Sequence, residues 1–224
     1  CDWSSDVCSS DLELRRKKQE ASRTLLVAAA LILGAALAQP LIAQDRGTAK
    51  ARGDARAAAR FDQYFRKYGK RYFGVGYDWR RFKAQAMAES NMDSTATSAV
   101  GARGLMQLMP STFAAIQSAR PEFANINDPE WNIAAGIMHD RYLWKLWGSK
   151  DAEDDRARFM FGSYNAGEGP IKRANEVAST QDPASPWALI ETVAPQIPRW
   201  RYKETLGYVR KIDGNFTKLV SGSR

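Results

Sequence analysis

The chain has 224 residues, 44% of them hydrophobic, and a formal charge of +8. That length buries one core of ordinary size plus an appendage rather than two full domains. Its two cysteines, Cys1 and Cys8, fall in the first eight residues and its one histidine is His139, which excludes a disulfide framework, a thiol nucleophile in the body of the chain and a His/Cys metal site.

Residues 1–12 (CDWSSDVCSSDL) read unlike the rest and resemble translated adapter sequence joined to a reading frame, a non-native leader. Within residues 13–38, Arg15, Arg16, Lys17, Lys18 and Arg23 precede an uncharged apolar run from Leu25 to Ala38 that ends Ala36-Leu37-Ala38. This is the basic, apolar and small-residue order of a secretory signal peptide. A membrane anchor, the competing reading, needs ~20 apolar residues, and Gln39 and Pro40 interrupt the run first. The expectation is an exported domain in the periplasm or cell envelope, touching the membrane only if the leader stays uncleaved. Residues 1–38 hold five basic and five acidic side chains, so the charge of +8 belongs to the remainder. Outside the cytoplasm that charge suits an anionic wall or membrane surface better than nucleic acid, and a basic surface that serves only solubility is the equal alternative.

Residues 39–60 are small, polar and basic and read as a linker; the domain proper is 61–224. Phe61, Tyr64, Phe65, Tyr68, Tyr72 and Phe73 recur at helical spacing and predict a packed first helix. Asp78 predicts the N-cap of a second helix through Phe82 and Ala86, with Glu89 in its last turn. A carboxylate there faces the negative end of the helix dipole, which raises its pKa. No acidic residue lies between Asp93 and Glu122, so a pair of carboxylates cannot come from this loop, and Glu89 is expected to act without a close acidic partner.

Asp128-Pro129 predicts a helix running to Gly148, with His139 as a boundary residue rather than a base. A helix from Asp154 or Asp155 ends at Gly167, another begins at Pro170, a proline-rich loop spans Asp182 to Pro198, and a last helix carries Leu206, Val209, Ile212, Phe216 and Leu219. No period-2 run appears, so the fold class is all-α.

Four short motifs stand in order along these elements: Glu89-Ser90, Gly104-Leu105-Met106-Gln107, Ser163-Tyr164-Asn165-Ala166-Gly167, and Glu204-Thr205-Leu206-Gly207-Tyr208-Val209. Together they resemble the catalytic domain of the soluble lytic transglycosylases of bacterial cell walls, over roughly Asp78 to Asn215. The resemblance implies a lysozyme-like helical domain that cleaves the β-1,4 bond between N-acetylmuramic acid and N-acetylglucosamine, leaving a 1,6-anhydromuramoyl end. It implies Glu89 as the one catalytic acid, needing neither metal nor cofactor. Substrate-binding groups are implied at Ser98, Gln107, the Met109 backbone, Tyr164, Asn165 and Tyr208. Tyr164 is the phenol expected on Glu89, with Tyr208 a second one nearby, and Met87, Met106, Met109 and Phe113 are expected to wall the acid's pocket. Gly104 serves turn geometry or a close approach to saccharide. Asp128-Pro129 and Asn132-Ile133 match the family structurally, and Ser163 departs from the alanine common there.

The expected partners are peptidoglycan glycan strands, acted on by a monomer in wall turnover or within a secretion or conjugation apparatus. A goose-type lysozyme-like hydrolase shares the fold and the dominant glutamate, and a non-catalytic peptidoglycan-binding module is the rival from another class. A helical nucleic-acid binder lacks a docking motif.

Overall fold

The computed structural model describes residues 59–148, 150 and 152–222. The expected leader, the signal segment and all but the last two residues of the linker lie outside them. Among the described residues all regular structure is helical, with isolated bridges pairing Thr97 with Arg103 and Arg103 with Leu108 inside one loop.

Helix α1 (Asp62–Phe73) buries Phe65 and Tyr68 and carries Asp62 in its first turn and Lys70 and Arg71 in its last, the charge order a helix dipole favours. It stops at Gly74, whose φ of 91° is a left-handed conformation that glycine adopts without penalty. Helix α2 (Arg80–Ser90) starts where the Asp78 carboxylate accepts the Arg80 N–H at 2.9 Å and stops at Asn91, φ 53°. Helix α3 (Pro110–Ala119) falls in the stretch expected as loop. Pro110 at its first position pre-sets φ and forfeits only an N–H that would have been unpaired.

Helix α4 (Pro129–Leu146) opens as predicted on Asp128, whose carboxylate accepts the N–H groups of Glu130 and Trp131. It buries Ile133, Ala134, Ala135, Gly136, Ile137 and Leu143 and packs against α1 and against α5 (Glu153–Ala166). Each large apolar side chain so buried contributes about 1.5–3 kcal/mol before entropy is charged against it. Helix α5 ends at Gly167, φ 77°, and α6 (Glu168–Ser179) turns away from it.

The expected proline-rich loop contains a short helix α7 (Trp187–Val193) followed by a 3-10 turn, Ala194–Gln196. Trp187 is 2% exposed and lies over Gly162, where an added Cβ would sit 2.5 Å from the indole. With Trp200 also buried, this segment is a packed cover over the helices. The last helix, α8 (Tyr202–Ser221), lies along α2 and α5. The pairing of α2 with α8 brings the two ends of the domain together at Glu89.

Candidate active site

Glu89 stands in the last turn of α2, partly buried. From α8, Tyr208 donates its hydroxyl to Glu89 Oε1 at 2.6 Å. Two contacts hold this register: Lys211 Nζ donates to the Ala88 carbonyl at 2.8 Å and Asn215 Nδ2 to the Ala84 carbonyl at 3.2 Å. Burial pushes the Glu89 carboxyl up from 4.5 to about 7, against the Tyr208 hydrogen bond and the Lys211 charge, which both pull it down. A carboxyl poised there can give up a proton and take one back near neutral pH.

Tyr164 is the phenol expected on this carboxyl, and the structure gives that contact to Tyr208 instead. Tyr164, on α5, donates to the Met106 carbonyl at 2.8 Å and so braces the Gly-Leu-Met-Gln loop. The reason is geometric: α8 runs beside α2 and carries Tyr208 to the carboxyl, whereas the Tyr164 hydroxyl is spent on the loop. Tyr164 still lies in the electrostatic reach of Glu89.

Besides Tyr164, two side chains, Ser90 and Asn132, pin the loop to the helices. Ser90 Oγ donates to the carbonyls of Ala86 and Leu105 at 3.2 and 3.0 Å, tying the residue after Glu89 to the loop. Asn132, 1% exposed on α4, accepts the Met106 N–H at 2.8 Å and donates to the carbonyls of Arg103 and Ile126. Gly104 takes a φ of 75°, and a Cβ there would lie 2.6 Å from Asn132 Nδ2. Its close approach is therefore to Asn132 and not to an open groove.

The other expected residues are distributed around this loop. Ser98 Oγ accepts the Ala102 N–H at 3.0 Å, which leaves its own hydroxyl hydrogen to donate. Gln107, φ 44°, uses its amide hydrogens on the carbonyls of Gly104 and Ala96, at 2.9 and 3.2 Å. Its donors are committed to the loop, so Oε1 is what it can present to a sugar. Met109 is 40% exposed just before α3. Asn165 is exposed beside Tyr164 and lines a cavity of about 210 Å³ shared with Arg199, Arg201 and Glu204.

Of the expected apolar walls, Met106 and Phe113 are core residues: Met106 packs against Gly136 and Phe113 meets Phe123 edge-on. His139 is a boundary residue as read from sequence, stacked on Tyr142 and edge-on to Tyr164, with its pKa lowered by burial. Ser163 is buried and accepts the Trp147 indole N–H at 2.9 Å, which gives a structural use to the departure from alanine.

One acidic side chain that the sequence does not single out lies within electrostatic reach of Glu89. Asp140 of α4 is 0% exposed and interacts electrostatically with Glu89. Its position at helical spacing from Ile133, Ile137 and Trp144 puts it on the apolar stripe of α4, a signal available in the sequence.

The profile of the family described as Transglycosylase SLT domain matches residues 63–185. A membrane-bound lytic murein transglycosylase F from Desulfosudis oleivorans is 36% identical over 142 residues, covering 60% of this chain and 29% of that protein. The namesake from Pseudomonas fluorescens is 28% identical over 154 residues, covering 67% and 30%. The chain thus spans less than a third of the length of these relatives. Among solved structures, the 70 kDa soluble lytic transglycosylase of Escherichia coli superposes with a TM-score of 0.55 at 24% identity, over 71% of this chain and 24% of that one. The same enzyme in complex with bulgecin A gives 0.54, also at 24% identity, over 72% and 24%. At that identity the likeness establishes the all-α fold.

Proposed function

The chain belongs to the Transglycosylase SLT domain family, and from that premise we propose that it is a peptidoglycan lytic transglycosylase. In this reading it cleaves the β-1,4 bond between N-acetylmuramic acid and N-acetylglucosamine and leaves a 1,6-anhydromuramoyl end. The observation that carries it is the Glu89 carboxyl, raised to about 7 with one oxygen held by Tyr208.

With Oε1 occupied by the phenol, Oε2 is the oxygen that bears the transferable proton. Glu89 gives that proton to the glycosidic oxygen as its bond to C1 breaks. The N-acetyl carbonyl of the muramic residue stabilises the oxocarbenium-like centre. The C6 hydroxyl oxygen of the same sugar then bonds to C1 and its proton returns to Glu89, so no water is consumed and the carboxyl is restored. Most glycosidases flank the bond with two carboxyl groups that act chemically; here the substrate supplies the nucleophile and one suffices. Tyr208 fixes the carboxyl's orientation, Tyr164 holds the loop, and Ser98, Gln107 Oε1, the Met109 backbone and Asn165 are the groups offered to the sugars. The names of the relatives support an envelope location, and a leader over residues 13–38 would carry the domain to the periplasm. There it would act in wall turnover or open the wall for a secretion or conjugation apparatus.

The test is mass spectrometry of fragments released from purified peptidoglycan, run beside Glu89→Gln. Anhydromuramoyl ends released by the parent and lost in the variant are expected. Reducing muramic ends would make the protein a hydrolase of goose-lysozyme type, and undiminished release by the variant would remove Glu89 from the chemistry.

A further inference from the structure

If Glu89 is the reacting acid, as proposed above, a second carboxyl buried beside it has to be accounted for. We propose that Asp140 is held as a neutral carboxylic acid in a reciprocal pair with Gln85, so that no negative charge opposes Glu89 when it gives up its proton. Asp140 then touches no substrate and leaves the titration of Glu89 undisturbed.

Gln85 and Asp140 are each 0% exposed, on α2 and α4, and Gln85 stands one helical turn before Glu89. Gln85 Nε2 donates to Asp140 Oδ1 at 3.3 Å. The remaining oxygen on each side chain, Gln85 Oε1 and Asp140 Oδ2, is buried without a partner. As a carboxylate, Asp140 would leave two acceptors unsatisfied in the core, each costing about 1–3 kcal/mol. It would also hold a charge with no cation paired to it among the described residues. A proton on Oδ2 turns that atom into a donor for Gln85 Oε1 and resolves both unpaired atoms in a single bond.

The surroundings favour the same state. The titratable group whose charge acts on Asp140 is Glu89 from α2; Tyr77 from the turn before α2, Tyr164 from α5 and Tyr208 from α8 lie within the reach of the Asp140 charge, and all of these groups are acids. Burial raises the Asp140 carboxyl well above the usual carboxylate range; the Gln85 hydrogen bond offsets part of this, and the Glu89 charge adds to it. Glu89 has the Lys211 charge and the Tyr208 hydroxyl on its side. Of the two carboxyls, Glu89 therefore ionises first and meets a neutral neighbour, and Asp140 would have to ionise against an existing charge.

This order makes the two removals unequal, which a merely structural pair would not. Carbon-13 titration of the side-chain carboxyls in the full chain reads it without reference to activity. Asp140→Asn puts an amide where the neutral acid was and should leave the Glu89 midpoint within about half a unit of the parent, with the alkaline limb of wall cleavage unmoved. Glu89→Gln should lower the Asp140 midpoint by about one unit or more, since a like charge is gone. The proposal is overturned if Asp140→Asn moves Glu89 down by a unit or more, or if Asp140 of the parent titrates in the ordinary carboxylate range. The parent titration decides the matter even if Asp140→Asn does not fold. Undiminished cleavage by Glu89→Gln would overturn the proposed function, separately from the protonation state of Asp140.

Discussion

Replacing Glu89 by Gln should stabilise the folded domain, and by more as the pH rises. The carboxyl titrates near 4.5 when unperturbed and at about 7 in the fold. A folded-state pKa above the unfolded one means that the native state binds the proton more tightly. Its stabilising contribution is therefore complete below about pH 4.5 and is lost as the pH climbs through about 7. At 1.36 kcal/mol per unit, a gap of about 2.5 units makes the loss about 3 kcal/mol between about pH 4 and about pH 8. The amide introduced by Glu89→Gln does not titrate and suffers no such loss. For a domain of this size that corresponds to a Tm difference between variant and parent that widens by about 6–12 °C across the same range. Thermal unfolding followed by circular dichroism at a series of pH values measures it. Because the Asp140 midpoint is itself expected to fall in Glu89→Gln, the same comparison made in an Asp140→Asn background isolates Glu89. Melting curves that stay parallel from acid to alkaline pH would refute the claim that burial holds this carboxyl protonated.

Tyr208→Phe removes the hydrogen bond that favours the ionised carboxyl. The Glu89 midpoint should rise by about one unit, visible as an alkaline limb of wall cleavage displaced upward together with a lower kcat. Gly104→Ala forces a Cβ into Asn132 at a φ of 75°, and urea unfolding should show a loss of about 2 kcal/mol or more. Asn132→Asp replaces the Nδ2 donor by an oxygen facing the carbonyls of Arg103 and Ile126. It should cost about 2–5 kcal/mol at neutral pH, with part of the loss recovered on acidification.

What can be read from the sequence is what depends on neighbours in the chain. The aromatic spacing of Phe61 to Phe73, the Asp128 cap and the Gly167 stop are local features, and each marks a helix or a helix end in the structure. The Glu89 placement in the last turn of α2 follows from Asp78 by the same logic. The short helix α7 is hidden among prolines that suggest loop, because it is held by the burial of Trp187 over Gly162 and of Ile190 in the core rather than by propensity. The choice between two phenols cannot be made locally: Tyr164 and Tyr208 both sit on helices, and only the packing of α8 along α2 decides which reaches the carboxyl. Asp140 escapes for a related reason. An acid on a helix reads as a surface charge until its partner Gln85, 55 residues earlier, is known to face it.

Glu89 and the phenol that holds it are separated by 119 residues. A ribosome makes the acid long before it makes α8, and until that helix docks, Glu89 lacks the phenol that orients it. The site is therefore a long-range construction, complete only when the last helix has docked on the second.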